Sequence, residues 1–430
     1  GVKHSSYKMN GKAIEYFKKC IDENCNPEAF KFLGLLYFEY SVKSEERSSA
    51  KEYLIQYNKL RPNDPHGNYL MSFTEVDNNK QIEFLKKSIE LEEKNSSGFR
   101  FKNGADVISS AYKKLAETYR NTGSLNKAYQ ALNQSIEVNS ENLYAYFYKM
   151  LFLISVNEGF PSKTLKSEDF NYTLSKVISL GRQKPFIVSE IVKYYRKIGD
   201  FKNALKFNNQ TILLEPDNVV HKHTKATILY RMNDYEESLK LLLSMESAYG
   251  KSNPSALISE VKSMISLCYF GIGSTFFDKN EFQKAKSNLL KAFDYNDLIF
   301  KRIDEIKFEK QKLYYIHRAN ISRHLMSTYL AIGDQKKKDK FNLTTLKAYN
   351  DLTDKYPKYF AGFYSEATYH YFKKDYNSAK ESLKESLLLN PKFDFSHYLL
   401  AKINYEEEEF NLSLDNINKA LDYMSYSKMG

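Results

Sequence analysis

The chain has 430 residues, too many for one ordinary compact core, so it either divides into domains or is a repeat array. Hydrophobic residues make up 42% and charged residues 27%, which excludes a disordered chain, and a net charge of +11 permits an acidic partner or nucleic acid without requiring either. Three cysteines, Cys20, Cys25 and Cys268, exclude a disulfide framework. Cys20 and Cys25 can pair, but they fall at a helix end, where packing is the simpler role.

Sparse punctuation, 9 Pro and 16 Gly, predicts long helices. In chain order, the first helical segment is 9–26, with Ala13-x3-Phe17. A helix with Phe30-x2-Leu33-Gly34-x2-Tyr37 follows, then one with Ala50-x3-Leu54, closed by Pro62. The stretch 65–98 is shorter and less regular. Tyr112-x2-Leu115-Ala116-x2-Tyr119 repeats the first pattern, and Ala128-x3-Leu132 the second, around a turn at Gly123-Ser124-Leu125. An insertion near Asn157–Pro161 interrupts the next pair. Turns then recur at Gly199-Asp200-Phe201, Asn233-Asp234-Tyr235, Asn280-Glu281-Phe282 and Lys374-Asp375-Tyr376. Between them stand Tyr269-x2-Ile272-Gly273-x2-Phe276, Ala285-x3-Leu289 and Ala379-x3-Leu383, and Pro216, Pro357 and Pro391 close second helices. The period is 34 residues, as between Pro357 and Pro391 or Ala379 and Ser413. Small residues let two helices approach, and Gly or Asn tolerates the left-handed turn. Asp can cap the second helix.

In these residues the chain resembles the tetratricopeptide-repeat (TPR) family, whose pattern is W-x2-L-G-x2-Y, then A-x3-F, then P, at a period of 34. Phe or Tyr stands in the Trp place. Repeats are placed at 27–64, 65–98, 109–142, 143–184, 185–218, 219–252, 266–299, 319–359, 360–393 and 394–427. The domain reading is a leading half-repeat at 1–26, an N-terminal array at 27–252 and a C-terminal array at 253–427, with extended helices at 253–265 and 300–318. The resemblance implies an all-α TPR solenoid of antiparallel helix pairs forming a right-handed superhelix, whose first helices line a concave groove.

No catalytic constellation occurs: there is no GxxxxGK[ST], HExxH, GxSxG or CxxC. Gly271 and Gly273 form a GxG inside a repeat helix, which reads as close packing. His221 and His223 are two apart, on different helix faces, and do not suit a metal. The chain is therefore read as no enzyme, with no cofactor and no metal. No window has the roughly 18 apolar residues of a membrane helix. No signal peptide opens the chain. Gly1 is not a natural start, so a parent protein with a further domain, anchor or export signal is expected, and the compartment stays unknown.

The exposed sides of the first helices give the groove lining: Ser110, Lys113, Glu117 and Arg120; Tyr144, Phe147 and Leu151; Phe186, Ser189, Lys193, Arg196 and Lys197; His223, Thr227, Tyr230 and Arg231; Phe270 and Phe277; Arg323; Tyr364, Thr368 and Tyr371; Tyr398, Lys402 and Tyr405. Aromatic and basic residues dominate, as in interface cores. Candidate partner-binding residues are Arg120, Tyr144, Phe147, Lys193, Arg196, Lys197, Tyr230, Arg231, Arg323, Tyr364, Tyr371 and Tyr398. The carboxylate clamp of chaperone-binding members needs Asn where Glu117 and Lys193 stand, so that ligand is not expected. A second candidate surface is 301–340, with eleven basic and five acidic residues. The expected role is a non-catalytic scaffold binding a protein or peptide, with an acidic segment favoured. The alternatives are a sensor module of a larger protein, and RNA binding, the least favoured.

Overall fold

The computed structural model describes residues 2–23, 26–40, 44–94, 106–156, 168–249 and 256–427. The expected insertion at Asn157–Pro161, Cys25 and the start of segment 253–265 lie outside them. The described residues form 21 α-helices, α1 (Val2–Asp22) to α21 (Phe410–Ser427), one short 3-10 turn and no strand. Two compact units result, residues 1–187 and 188–430.

In the first unit α2 (Glu28–Tyr40) packs on α3 (Ser44–Leu60), α4 (Pro65–Thr74) on α5 (Asn78–Lys94), α6 (Val107–Asn121) on α7 (Leu125–Val138), and α8 (Leu143–Val156) on α9 (Glu168–Gly181). The second unit follows the same plan. It holds most of α10 (Pro185–Lys197), then α11 (Phe201–Leu214), α12 (Val219–Arg231), α13 (Tyr235–Tyr249), α14 (Ala256–Asp278), α15 (Phe282–Phe300), α16 (Phe308–Ile332), α17 (Gln335–Lys355), α18 (Phe360–Phe372), α19 (Tyr376–Leu389) and α20 (Asp394–Glu406). Helices α12, α14, α16, α18 and α20 also touch one another in succession, so the first helices of the pairs form a continuous inner layer of this unit.

The pairs close because small residues face large ones. A Cβ on Gly34 would stand 2.7 Å from Leu54 Cγ, and a Cβ on Gly273 would stand 2.7 Å from Leu289 Cγ. The two glycines and two leucines occupy the same repeat positions, and both leucines are fully buried. Where serine replaces alanine at the small position of a second helix, its hydroxyl bonds the first helix: Ser238 Oγ donates to the Ala226 carbonyl at 2.8 Å and Ser413 Oγ to that of Ala401 at 2.9 Å. The polar atom is thereby satisfied inside the pair.

Every expected turn is left-handed at its first residue: Gly123, Gly199, Asn233, Asn280 and Lys374 all have positive φ, as do Gly333 and Glu408. Asp200, Asp334 and Asp375 accept the backbone N–H three residues on, capping α11, α17 and α19. The glutamate run 406–409 is thus the turn of the last pair. Glu407 and Glu409 both pair with Lys380, so two of its four carboxylates are bound. The 300–318 stretch is not one helix. Helix α15 ends at Phe300, a 3-10 turn spans Ile303–Glu305, and α16 starts at Phe308. Cys268 is free and buried, and Cys20 is disulfide-bonded, against the packing role read for it.

Candidate functional site

Helices α10 and α12 both end in basic residues, and their C-terminal carbonyls favour cations there. Helix α10 closes on Arg196 and Lys197, and α12 on Arg231. Gly199, at φ +77°, then turns the chain back, and a Cβ there would meet nothing within 4 Å. The turn leaves the helix end open. Lys193, Arg196, Lys197 and Arg231 converge with Gly199 and Phe201 on one cavity of about 490 Å3. Of the candidate residues Lys193, Arg196 and Lys197 on α10 and Tyr230 and Arg231 on α12, four therefore share one chamber.

Lys193 is exposed and paired with Glu190 one turn earlier. Neither Arg196 nor Arg231 has a carboxylate partner among the described residues. Arg196 is half-buried, and burial followed by the nearby Arg231 charge pushes its pKa down. Two guanidiniums held together without a counter-ion favour an incoming anion, which a planar fork can bind bidentately. The fifth residue, Tyr230, is not in the chamber. Its ring lies 5.4 Å from that of Tyr235 and packs against the core of Ala226, Leu242 and Val261.

A second, smaller cavity of about 280 Å3 shares Arg196 with the first. It is lined by His223, Thr224 and Thr227 of α12, Glu260, Ser263 and Met264 of α14, and Tyr314 of α16. Thr227 Oγ1 donates to the His223 carbonyl at 3.0 Å. His223 Nε2 is buried without a hydrogen-bond partner. Burial pushes the His223 pKa down, against the pull of Glu260 and with that of Arg196, so the ring is neutral near pH 7. His223 and Thr227 were legible as groove residues. Glu260, Ser263 and Tyr314 were missed because they stand on the N-terminal halves of α14 and α16, which extend beyond the 34-residue period.

The other candidates scatter. Arg120 is exposed at the end of α6. Phe147 is a correction: it is buried, because its ring packs edge-on against that of Phe186 at 5.8 Å and not towards an open face. Ser110 is buried likewise. Tyr144 is half-buried and stacks on Phe186 at 6.2 Å. Arg323 is half-buried with its guanidinium 5.1 Å from the Phe372 ring, so its charge is spent on cation–π contact. Tyr364 packs on Phe393 at 5.3 Å. Tyr371 and exposed Tyr398 flank the Lys402 ammonium, at 5.1 and 5.9 Å. Phe270 and Phe277 face the His324 ring and are largely internal.

The 301–340 surface is mostly consumed by the fold. Arg318 pairs with Asp297 at 3.1 Å and lies over Phe293 and Phe300. Arg302 pairs with Glu305, Lys301 with Asp297, and Lys312 lies over Tyr359. Among the described residues no group of three metal-ligating side chains occurs, and no helix is long and apolar enough to cross a membrane.

Paired helices, a left-handed turn in seven of the described pairs and, in the second unit, an inner layer of first helices define a helical-repeat protein. The tetratricopeptide repeat model matches residues 109–142, the pair α6–α7 and the repeat read there from sequence. The chain therefore carries a tetratricopeptide repeat over α6–α7. No curated protein matches it. Among solved structures it is similar to part of a TPR repeat-containing protein from Cytophaga hutchinsonii, at 12% identity and a TM-score of 0.43, over 66% of this chain and 100% of that one. It is similar to yeast Tom70 at 13% identity and TM-score 0.37, over 100% and 95% of the two chains. It is also similar to human IFIT1, solved as a dimer with m7Gppp-AAAA, at 12% identity and TM-score 0.36, over 96% and 94%. At such values the likeness transfers no ligand and no partner.

Proposed function

We propose that this chain is a scaffold without chemistry of its own that holds an extended acidic segment of a protein partner in the Arg196–Arg231 chamber. The observation that carries the reading is the convergence of Lys193, Arg196, Lys197 and Arg231 on one cavity, with neither arginine neutralised. An Asp or Glu side chain there gains charge-assisted hydrogen bonds, and an open groove accepts the backbone on either side. Tyr371, Tyr398 and Lys402 form a further aromatic and basic contact on the inner layer of the same unit.

The test is fluorescence polarisation with labelled peptides carrying Asp or Glu, against matched Asn or Gln peptides and random single-stranded RNA. Acidic peptides should bind the wild type. Arg196→Ala and Arg231→Ala should each weaken them about tenfold, and Lys240→Ala, an exposed lysine on α13, should not. Binding of RNA with a steep salt dependence, and none of acidic peptide, would replace the protein partner with a nucleic acid.

A further inference from the structure

The second cavity makes the site bipartite. It shares Arg196 with the basic chamber but has a different chemistry. The first is lined by four cations and no carboxylate. The second combines one cation with a carboxylate, Glu260, three small hydroxyl residues, Tyr314 and an unpartnered imidazole nitrogen, His223 Nε2. A buried nitrogen without a partner costs about 1–3 kcal/mol, which a ligand can recover. Glu260 is half-exposed, and its nearest cation, Lys310, stands 3.9 Å away, so its carboxylate keeps free lone pairs.

These groups select a ligand. A second carboxylate is repelled by Glu260, and an ammonium by Arg196. An apolar side chain leaves His223 Nε2 unsatisfied. A primary carboxamide has both a donor and an acceptor, so it can serve Glu260 with its NH2 and His223 with whichever group matches the imidazole tautomer. A hydroxyl has a single proton, so it serves both groups only when His223 Nε2 carries the proton, whereas a carboxamide serves both in either tautomer. We infer that the cavity at His223 and Glu260 is a subsite for an Asn or Gln side chain standing beside the acidic anchor of the bound segment. One arginine borders both cavities, so the two ligand side chains lie within about two residues along an extended backbone. The inference rests on the acidic-segment reading and adds a second position to it.

The experiment is a positional-scanning peptide library with one fixed Asp or Glu and degenerate neighbours, probed with the purified chain. The expected result is selection of Asn or Gln within two residues on one side of the acid. For a selected peptide, Gln→Leu at that position should weaken binding to wild type about tenfold, and the discrimination should disappear in His223→Leu while selection of the acid persists. Glu260→Ala, at an exposed position, gives the same readout without disturbing the fold, should His223→Leu fail to fold. Selection of the acid with no preference beside it would overturn the carboxamide subsite alone, as would a preference for Ser or Thr over Asn and Gln. No selection of the acid would overturn the acidic-segment reading, and the subsite with it.

Discussion

Gly273→Ala should destabilise the second unit even though alanine is the better helix former. The added Cβ would stand 2.7 Å from Leu289 Cγ, 2.9 Å from Leu289 Cδ2 and 3.2 Å from the Leu289 backbone nitrogen. A side chain can rotate away, but the backbone nitrogen belongs to the middle of α15. Overpacking of this kind costs about 1–3 kcal/mol. Replacing a mid-helix glycine by alanine returns about 1 kcal/mol. The net loss is up to about 2 kcal/mol, or up to roughly 8 °C in melting temperature for a unit of this size. Gly362→Ala is the internal control, since its Cβ would meet nothing closer than Leu352 Cδ2 at 3.3 Å, and it should be neutral or stabilising by up to about 1 kcal/mol. The sharper readout is a double-mutant cycle by urea unfolding followed by circular dichroism. In a Leu289→Ala background the Cγ and Cδ2 contacts are gone and only the 3.2 Å approach to the backbone nitrogen remains, so Gly273→Ala should cost clearly less than in wild type. If Gly273→Ala costs the same in both backgrounds, or costs nothing in wild type, close approach is not what the glycine provides.

Three further outcomes are expected. Burial holds His66 and His317 at a pKa of about 4, below the ordinary 6.5 of the unfolded chain, so their contribution is complete above pH 6.5 and is lost as pH falls from there towards 4, by about 3 kcal/mol for each group. Urea midpoints measured across that range should fall, and less steeply in His317→Gln. Lys374→Gly and Glu408→Gly should each raise stability by about 0.5–1 kcal/mol, because both residues are held at positive φ, and a lower melting temperature would refute this. Asp200→Ala removes the cap accepted from Asn203 N–H and should cost about 1 kcal/mol, with Asp200→Asn retaining most of it when the two are compared by thermal melting.

The regular part of the fold was legible because each repeat position is set by short-range physics. Asn233, Asn280 and Lys374 mark left-handed turns, whether or not glycine is present, since the 34-residue phase fixes where the turn falls. Gly34 and Gly273 mark close approach. The site was legible only where it follows that phase. Arg196 and Arg231 are 35 residues apart and close the same helix of successive pairs, so their meeting could be read from spacing. Burial could not. An amphipathic wheel places Phe147 and Tyr230 on the open side of their helices, but large aromatic rings reach sideways to Phe186 and Tyr235 and are absorbed by neighbouring packing. The same holds for charge, since Arg318 and Arg323 count as surface cations in a sequence and spend themselves on aromatic faces in the structure. Glu260, Ser263 and Tyr314 lie on helix extensions outside the period, where the register gives no indication of what faces the groove. Departures from the repeat are therefore where residues outside its shared positions come to line the cavity at His223. The shared positions specify a stack of helix pairs, and the extra turns of α14 and α16 bring Glu260, Ser263 and Tyr314 to the cavity that His223 lines.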